Sequence, residues 1–171
     1  SNSGLMNKGY YLNGKKNGIW IEGREISDVI RIDRERNYLN GKLEGISKCY
    51  FNSWYLNLRM KNFNIYEMIN YKNNQPVGTP VYKYFNDSLV SGIIKSEIID
   101  GIHNKYVFVQ GVLQEETRID NEITVEVKKY AIKNNQFVSF VREYYENGKV
   151  SSEGSRSVYK NGNLGQWLYY N

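Results

Sequence analysis

The sequence predicts an all-β fold: an elongated, meandering antiparallel sheet of stacked β-hairpins, left open as a repeat array. Three observations lead there. The dipeptide Asn-Gly stands at Asn13-Gly14, Asn40-Gly41, Asn147-Gly148 and Asn161-Gly162, each after a tyrosine and one spacer. Weaker copies lie between them at Asn52-Ser53, Asn73-Asn74, Asn86-Asp87, Asp100-Gly101, Gln110-Gly111, Asp120-Asn121 and Asn134-Asn135, with most neighbours 10 to 14 positions apart, room for one strand and one tight turn. The flanking residues are strand formers, and no convincing amphipathic helix is present to cover a sheet.

The turn chemistry is specific. A two-residue type I′ loop holds both central residues at positive φ, which Asn tolerates and Gly adopts freely, and its twist suits the strands on either side. Replacing the second residue by Asn or Ser is expected to blunt the turn or shift its type.

Taken in order, Tyr10-Tyr11-Leu12 leads into the first turn and Ile19-Trp20-Ile21 returns from it. The stretch from Arg24 to Leu39 alternates loosely at Ile26, Asp28, Ile30 and Ile32 and reads as strand in preference to one or two helical turns. Gly14 to Gly18 and Gly41 to Gly45 repeat one spacing, so Gly18, Gly45 and, in the last unit, Gly165 read with the Asn-Gly pairs as turn residues of the repeat, and Ile46-Ser47-Lys48 is the second return strand. From Cys49 to Ile69 the pattern weakens: Trp54, Leu56 and Leu58 alternate, Asn57, Asn62 and Asn64 interrupt, and a loop or bulge is expected near Lys61-Asn62. Beyond Pro80, Val90, Ile94 and Ile98 fall on one side of a strand broken at Gly92 or later. A strand covers 102–109, and from Glu122 to Ala131 the residues Ile123, Val125 and Val127 alternate with charged and polar neighbours, as in a half-buried antiparallel strand. Tyr144-Tyr145 and Val158-Tyr159 lead into the last two turns.

Composition sets outer limits. With 40% hydrophobic and 24% charged residues the chain is composed to fold, and 16 tyrosines suit a thin sheet in which a ring covers its neighbour while the hydroxyl stays wet. The opening Ser1-Asn2-Ser3 reads as a vector-derived remnant; residues 1–5 are set outside the fold and residues 6–171 are read as one domain. No run is long enough for a membrane span and no leader opens the chain. A repeat begins almost at once, so a trimmed leader or anchor is compatible with the sequence, and an exported or cell-surface location is preferred to a cytoplasmic one. The formal charge of +5 and pI near 9.1 permit anionic partners without choosing among them. The densest basic stretches, Arg31 to Arg36 and Lys128-Lys129, carry Asp33, Glu35 and Glu126 among them, which reads as a solvated strand face.

Catalytic candidates are few. Any Ser-His-Asp or Cys-His arrangement has to use His103, the one histidine, which reads as a surface strand residue with no orienting carboxylate nearby in sequence. Cys49, the one cysteine, forms no intrachain disulfide and reads as a small packed residue. Metal-ligand spacing is absent and no cofactor is implied. Trp20 and Trp167 stand two residues after Gly18 and Gly165, which suggests an aromatic binding strip; a ring laid on a neighbouring glycine, where no Cβ stands, explains the fixed spacing better. Trp54 shares the residue type without the frame and is the better candidate for a partner contact.

Two stretches carry a family resemblance. Tyr144-Tyr145-Glu146-Asn147-Gly148-Lys149 through Glu153-Gly154, continued by Tyr159-Lys160-Asn161-Gly162 and Gly165-Gln166-Trp167-Leu168-Tyr169-Tyr170, resembles the bacterial variant of the MORN repeat, as does Tyr11-Leu12-Asn13-Gly14-Lys15-Lys16-Asn17-Gly18-Ile19-Trp20. Tyr38 to Gly45 and Tyr71 to Gly78 are partial copies; the last unit is one residue shorter between Gly162 and Gly165, and the central copies lose glycines and Trp. The resemblance implies a noncatalytic scaffold for contacts, with a protein partner such as a toxin, in the manner of YwqK-type antitoxin components, or a surface protein. It also implies that a lipid-kinase label would arise by association alone, since no glycine-rich phosphate loop or catalytic-loop pattern is present. The alternative reading is a peripheral binder of anionic membrane lipid or cell-wall polymer. Nucleic acid is disfavoured for want of an RNP-like or OB-like signature, and open sheet edges make a homo-oligomer physically available.

Overall fold

Type I′ turns punctuate the chain as the Asn-Gly spacing predicts. In a computed structural model, which describes residues 3–26, 29–50, 64–96, 98, 100–134, 136–158 and 163–171, Asn13, Asn40 and Asn73 take φ of 51°, 52° and 50°, followed by Gly14, Gly41 and Asn74 at 72°, 82° and 67°. Asn74 therefore holds the same left-handed conformation as the glycines, and the expected change of turn type does not occur. Asp100-Gly101 and Gln110-Gly111 repeat the geometry. The pair at Asp120-Asn121 lies one residue later than read, at Asn121-Glu122, with φ of 45° and 68°.

Among the described residues every element is a strand and every pairing is antiparallel. The chain divides into two compact units, Ser1–Ser88 and Leu89–Asn171, each with its own seven-stranded sheet, where the sequence reading draws one continuous array. The first holds β1 (Ser3–Leu12), β2 (Lys15–Ile26), β3 (Val29–Leu39), β4 (Lys42–Leu43), β5 (Gly45–Tyr50), β6 (Ile65–Lys72) and β7 (Gln75–Tyr84), in spatial order β1-β2-β3-β5-β6-β7 with β4 also against β3. The second holds β8 (Gly92–Lys95), β9 (Ile102–Val109), β10 (Val112–Asp120), β11 (Ile123–Lys133), β12 (Gln136–Tyr144), β13 (Val150–Ser157) and β14 (Asn163–Tyr169), ordered β14 through β8. Each sheet is a meander, and neither closes into a barrel.

Several expectations need correction. Ser3, Gly4 and Leu5, set outside the fold, pair with Ile26, Glu25 and Arg24, because β2 is long enough to present backbone partners that far. The stretch from Arg24 to Leu39 is two strands, since β2 and β3 pair as far as Ile26↔Val29 and the chain reverses between them. Asn147-Gly148 closes a three-residue loop instead of a two-residue one: the Gly148 amide donates to the Tyr145 carbonyl, the Tyr145 amide donates to the Lys149 carbonyl, and only Gly148 is left-handed, at φ 78°. Phe85-Asn86-Asp87 closes the same kind of loop after β7, with the Asp87 amide on the Tyr84 carbonyl and Asp87 at φ 65°. Ile98 is 65% exposed while Val90 and Ile94 are buried, so the three do not share one buried side. In β11 burial does not alternate, because ion pairs shelter the charged side chains of Glu126 and Lys128. Asn52-Ser53, Trp54, Lys61-Asn62 and Asn161-Gly162 lie outside the described residues.

The turns of the first unit lean on one another in one direction. The Gly41 amide donates to the Lys16 carbonyl at 2.8 Å, and the Asn74 amide to the Leu43 carbonyl at 3.0 Å, so each later turn docks on the return strand of the hairpin before it. The Asn40 amide adds a bond to Asn17 Oδ1 at 3.3 Å. Core residues are Trp20, Ile65, Tyr66, Pro80 and Tyr82 in the first unit and Val90, Ile94, Tyr106, Phe108, Leu113, Phe137, Val138 and Val141 in the second.

Candidate functional site

The repeat glycines after the turns make bulges instead of turns. Lys8 pairs with Ile21 and Tyr10 with Asn17, so Gly18, Ile19 and Trp20 together face Gly9, with Gly18 at φ 66°. The Trp20 ring lies on Gly9, where a Cβ would come within 2.4 Å of it; its Nε1 donates to the Tyr10 carbonyl, and the Lys16 ammonium stands 4.1 Å from the ring centroid. The same arrangement recurs at Gly165, Gln166 and Trp167 opposite Gly154, with the Arg156 guanidinium 4.5 Å from the Trp167 ring. Both rings are thus committed within the fold, Trp20 with 5% of its surface exposed. In the third hairpin Gly78, Thr79 and Pro80 face Ile69: the small ring takes the place of Trp where a large residue takes the place of glycine. Gly45, at φ 78°, occupies the corresponding place between β4 and β5.

One face of the first sheet is uncovered beside these turns. Pairing and alternation place Tyr10, Leu12, Ile19, Leu39 and Ile46 on the same face, and each is more than half exposed, from 51% at Leu12 to 61% at Ile19. Lys15 and Lys42 stand directly opposite Leu12 and Leu39 on that face. Farther along the same face the sheet is roofed: Phe85 packs on Tyr50 and Tyr66, Tyr50 donates to Glu35 Oε1 at 2.7 Å, and Tyr66 donates to Asp87.

The other face carries a polar row. Glu22, Arg34, Cys49, Glu67 and Tyr82 stand in register across β2, β3, β5, β6 and β7. Glu22 lies 3.8 Å from Arg34 Nη1 and 3.2 Å from Arg36 Nη1, and the Tyr82 hydroxyl donates to Glu67 Oε1 at 2.7 Å. Arg34, Arg36, Ser47, Cys49, Glu67 and Tyr71 line a depression of about 230 Å³ there. Burial raises the Glu67 carboxyl above its ordinary range against the opposing hydrogen bond from Tyr82. Burial also pushes the Cys49 thiol up to about 11, with Glu67 adding to the effect and Arg34 opposing it. Such a thiol is a poor nucleophile near neutral pH. Sequence reading missed this group because it joins five strands; its one visible signal is that Arg34 and Arg36 are two apart and so share a face.

In the second unit a charged network crosses one face: Lys128 meets Glu126 at 2.9 Å and Glu116 at 3.5 Å, Arg156 meets Glu126 and Glu143, and Tyr130 donates to Glu116. His103, read as a surface residue, is buried at 9% exposure in β9, its side chain on the strand face opposite that of Tyr106 and Phe108. Among the described residues no group of His, Cys, Asp or Glu has the clustering to hold a metal ion. No protein-family model matches the chain, and neither curated proteins nor solved structures give a match.

Proposed function

We propose that this protein is a noncatalytic interaction scaffold built of MORN-like hairpins, whose first sheet engages a protein partner through its uncovered face. The observation that carries the reading is the row of Tyr10, Leu12, Ile19, Leu39 and Ile46, aligned on one face and more than half exposed. Several large apolar side chains exposed together on one face are costly in water and characteristic of contact sites. A toxin or a surface protein is the kind of partner that the resemblance implies. The test is affinity capture from a native lysate with the wild-type chain and an Ile19→Asp/Ile46→Asp variant side by side. A partner retained by the first and lost by the second, with the two circular dichroism spectra alike, supports the reading. The same proteins on both columns defeat it.

A second reading draws on the lysines of that face. Lys15 and Lys42 beside Leu12 and Leu39 give the mixture of cation and apolar side chain that suits the surface of an anionic membrane. Co-sedimentation with phosphatidylserine vesicles should then fall steeply with salt; binding indifferent to salt or to lipid charge excludes it.

A further inference from the structure

We propose that the depression between β3, β5 and β6 is a carboxylate-binding site, with the guanidinium groups of Arg34 and Arg36 as its anion-holding pair. The site lies on the face opposite the apolar row and does not depend on that row's function.

Charge and geometry argue for it together. Arg34 and Arg36 sit two apart on β3, so both point to the same face, and the depression of about 230 Å³ opens beside them. Their shared acidic partner is Glu22, which meets one terminal nitrogen of each at 3.8 and 3.2 Å. Glu67 lines the same depression, but burial holds its carboxyl towards the neutral form and the Tyr82 hydroxyl is bonded to it, so Glu22 is the carboxylate that meets the two cations directly. Each guanidinium carries five donors in a fixed fork, far more than Glu22 engages, and a carboxylate matches two of those donors at once. The wall opposite includes Ser47 and Tyr71, with Leu43 and Ile69 lowering the local polarity, which strengthens the attraction. The carboxyl groups already at the site set the class of anion: a monoanionic carboxylate meets less repulsion from Glu22 and Glu67 than a phosphate dianion does.

The carboxylate can belong to a free small acid or to an acidic side chain of a protein, and both can be tested on the full chain. The arginine Nε–Hε signals and the Ser47 and Tyr71 amides are followed by NMR while sodium acetate, N-acetylglutamic acid α-amide or inorganic phosphate replaces chloride at constant ionic strength. Saturable movement of the Arg34 and Arg36 signals with either carboxylate is expected; the tighter of the two tells which source the site prefers. Arg36→Gln should weaken the binding by about tenfold, since a charge-assisted bond is lost, and Arg36→Lys should restore only part of it. Glu22→Gln should tighten binding several-fold, because it removes the internal competitor; a purely structural arginine pair would not give that gain, and the measurement stands even where an arginine variant fails to fold. Absence of saturable shifts, or unchanged or weaker binding in Glu22→Gln, overturns the site. Phosphate binding more tightly than acetate overturns its assignment to carboxylates.

Discussion

A methyl group added at Gly23 would lie 2.2 Å from the carbonyl oxygen of Arg31, a backbone atom with little freedom to move. The cause is the irregular register between Glu22 and Gly23, which draws β3 close to β2 at that point. Gly23→Ala is therefore expected to destabilise the first unit by about 1–3 kcal/mol, whereas Gly4→Ala, with nothing within 4 Å of the added atom, should change stability by less than about 0.5 kcal/mol. Urea titration of the two variants checks the contrast. Glu67 gives a pH signature at the same scale. Its carboxyl is raised in the folded chain, so folding favours the protonated form; that contribution is fully present below the ordinary carboxylate value and is lost as pH rises through the folded value. Glu67→Gln should accordingly flatten the fall in stability above about pH 4.5, measured as denaturation midpoint against pH. Neither residue was legible in the sequence. Gly23 carries no motif, because its constraint comes from a strand met only after the next reversal, and Glu67 acquires its environment from β5 and β7. His103 was misread for the same reason: its place inside the second sheet depends on which strands flank β9.

At the scale of the element, the unit is a tight turn, a bulge and a ring laid on glycine. Trp20 on Gly9 predicts strong coupling. Trp20→Ala should cost about 3–5 kcal/mol, and Gly9→Ala should cost about 1–3 kcal/mol alone but much less once the indole is gone. A double-mutant cycle on the thermal midpoints checks this, and additive losses would mean that ring and glycine do not share the contact. The third hairpin, with Ile69 opposite Pro80, already exchanges the two sizes. Turns were the most legible feature, because Asn13, Asn40 and Asn73 carry their preference for positive φ with them. Loop length was less legible at Asn147, where the same dipeptide supports a three-residue loop, since Asn-Gly fits either the two left-handed positions of a type I′ turn or a type I turn closed by a left-handed glycine. The bulges at Gly18 and Gly165 were not legible, because spacing alone does not say on which side of the reversal a left-handed residue falls.

For the molecule as a whole, nearly every strand pairs with its neighbour in sequence, so stability is built from successive local contacts. Amide exchange should then be graded: in β1, β7, β8 and β14, each paired along one edge, protection should be lowest, and in β3, β10, β11 and β12 it should be highest. Uniform protection across each sheet would mean that it opens as a single cooperative body. The meander was legible from the spacing of turns. The division into Ser1–Ser88 and Leu89–Asn171 was not, since the turn chemistry at Asn86-Asp87 reads like that of any other reversal.

The one-way bonding of the turns has a bearing on how such a chain can change length. In the first unit the amides of the second and third turns find their acceptors in the return strand of the hairpin before, so there a single hairpin cassette carries the plug for its predecessor and the socket for its successor. Copying or excising one cassette leaves every remaining plug and socket matched, and the protein can lengthen or shorten by whole hairpins without inventing a new joint.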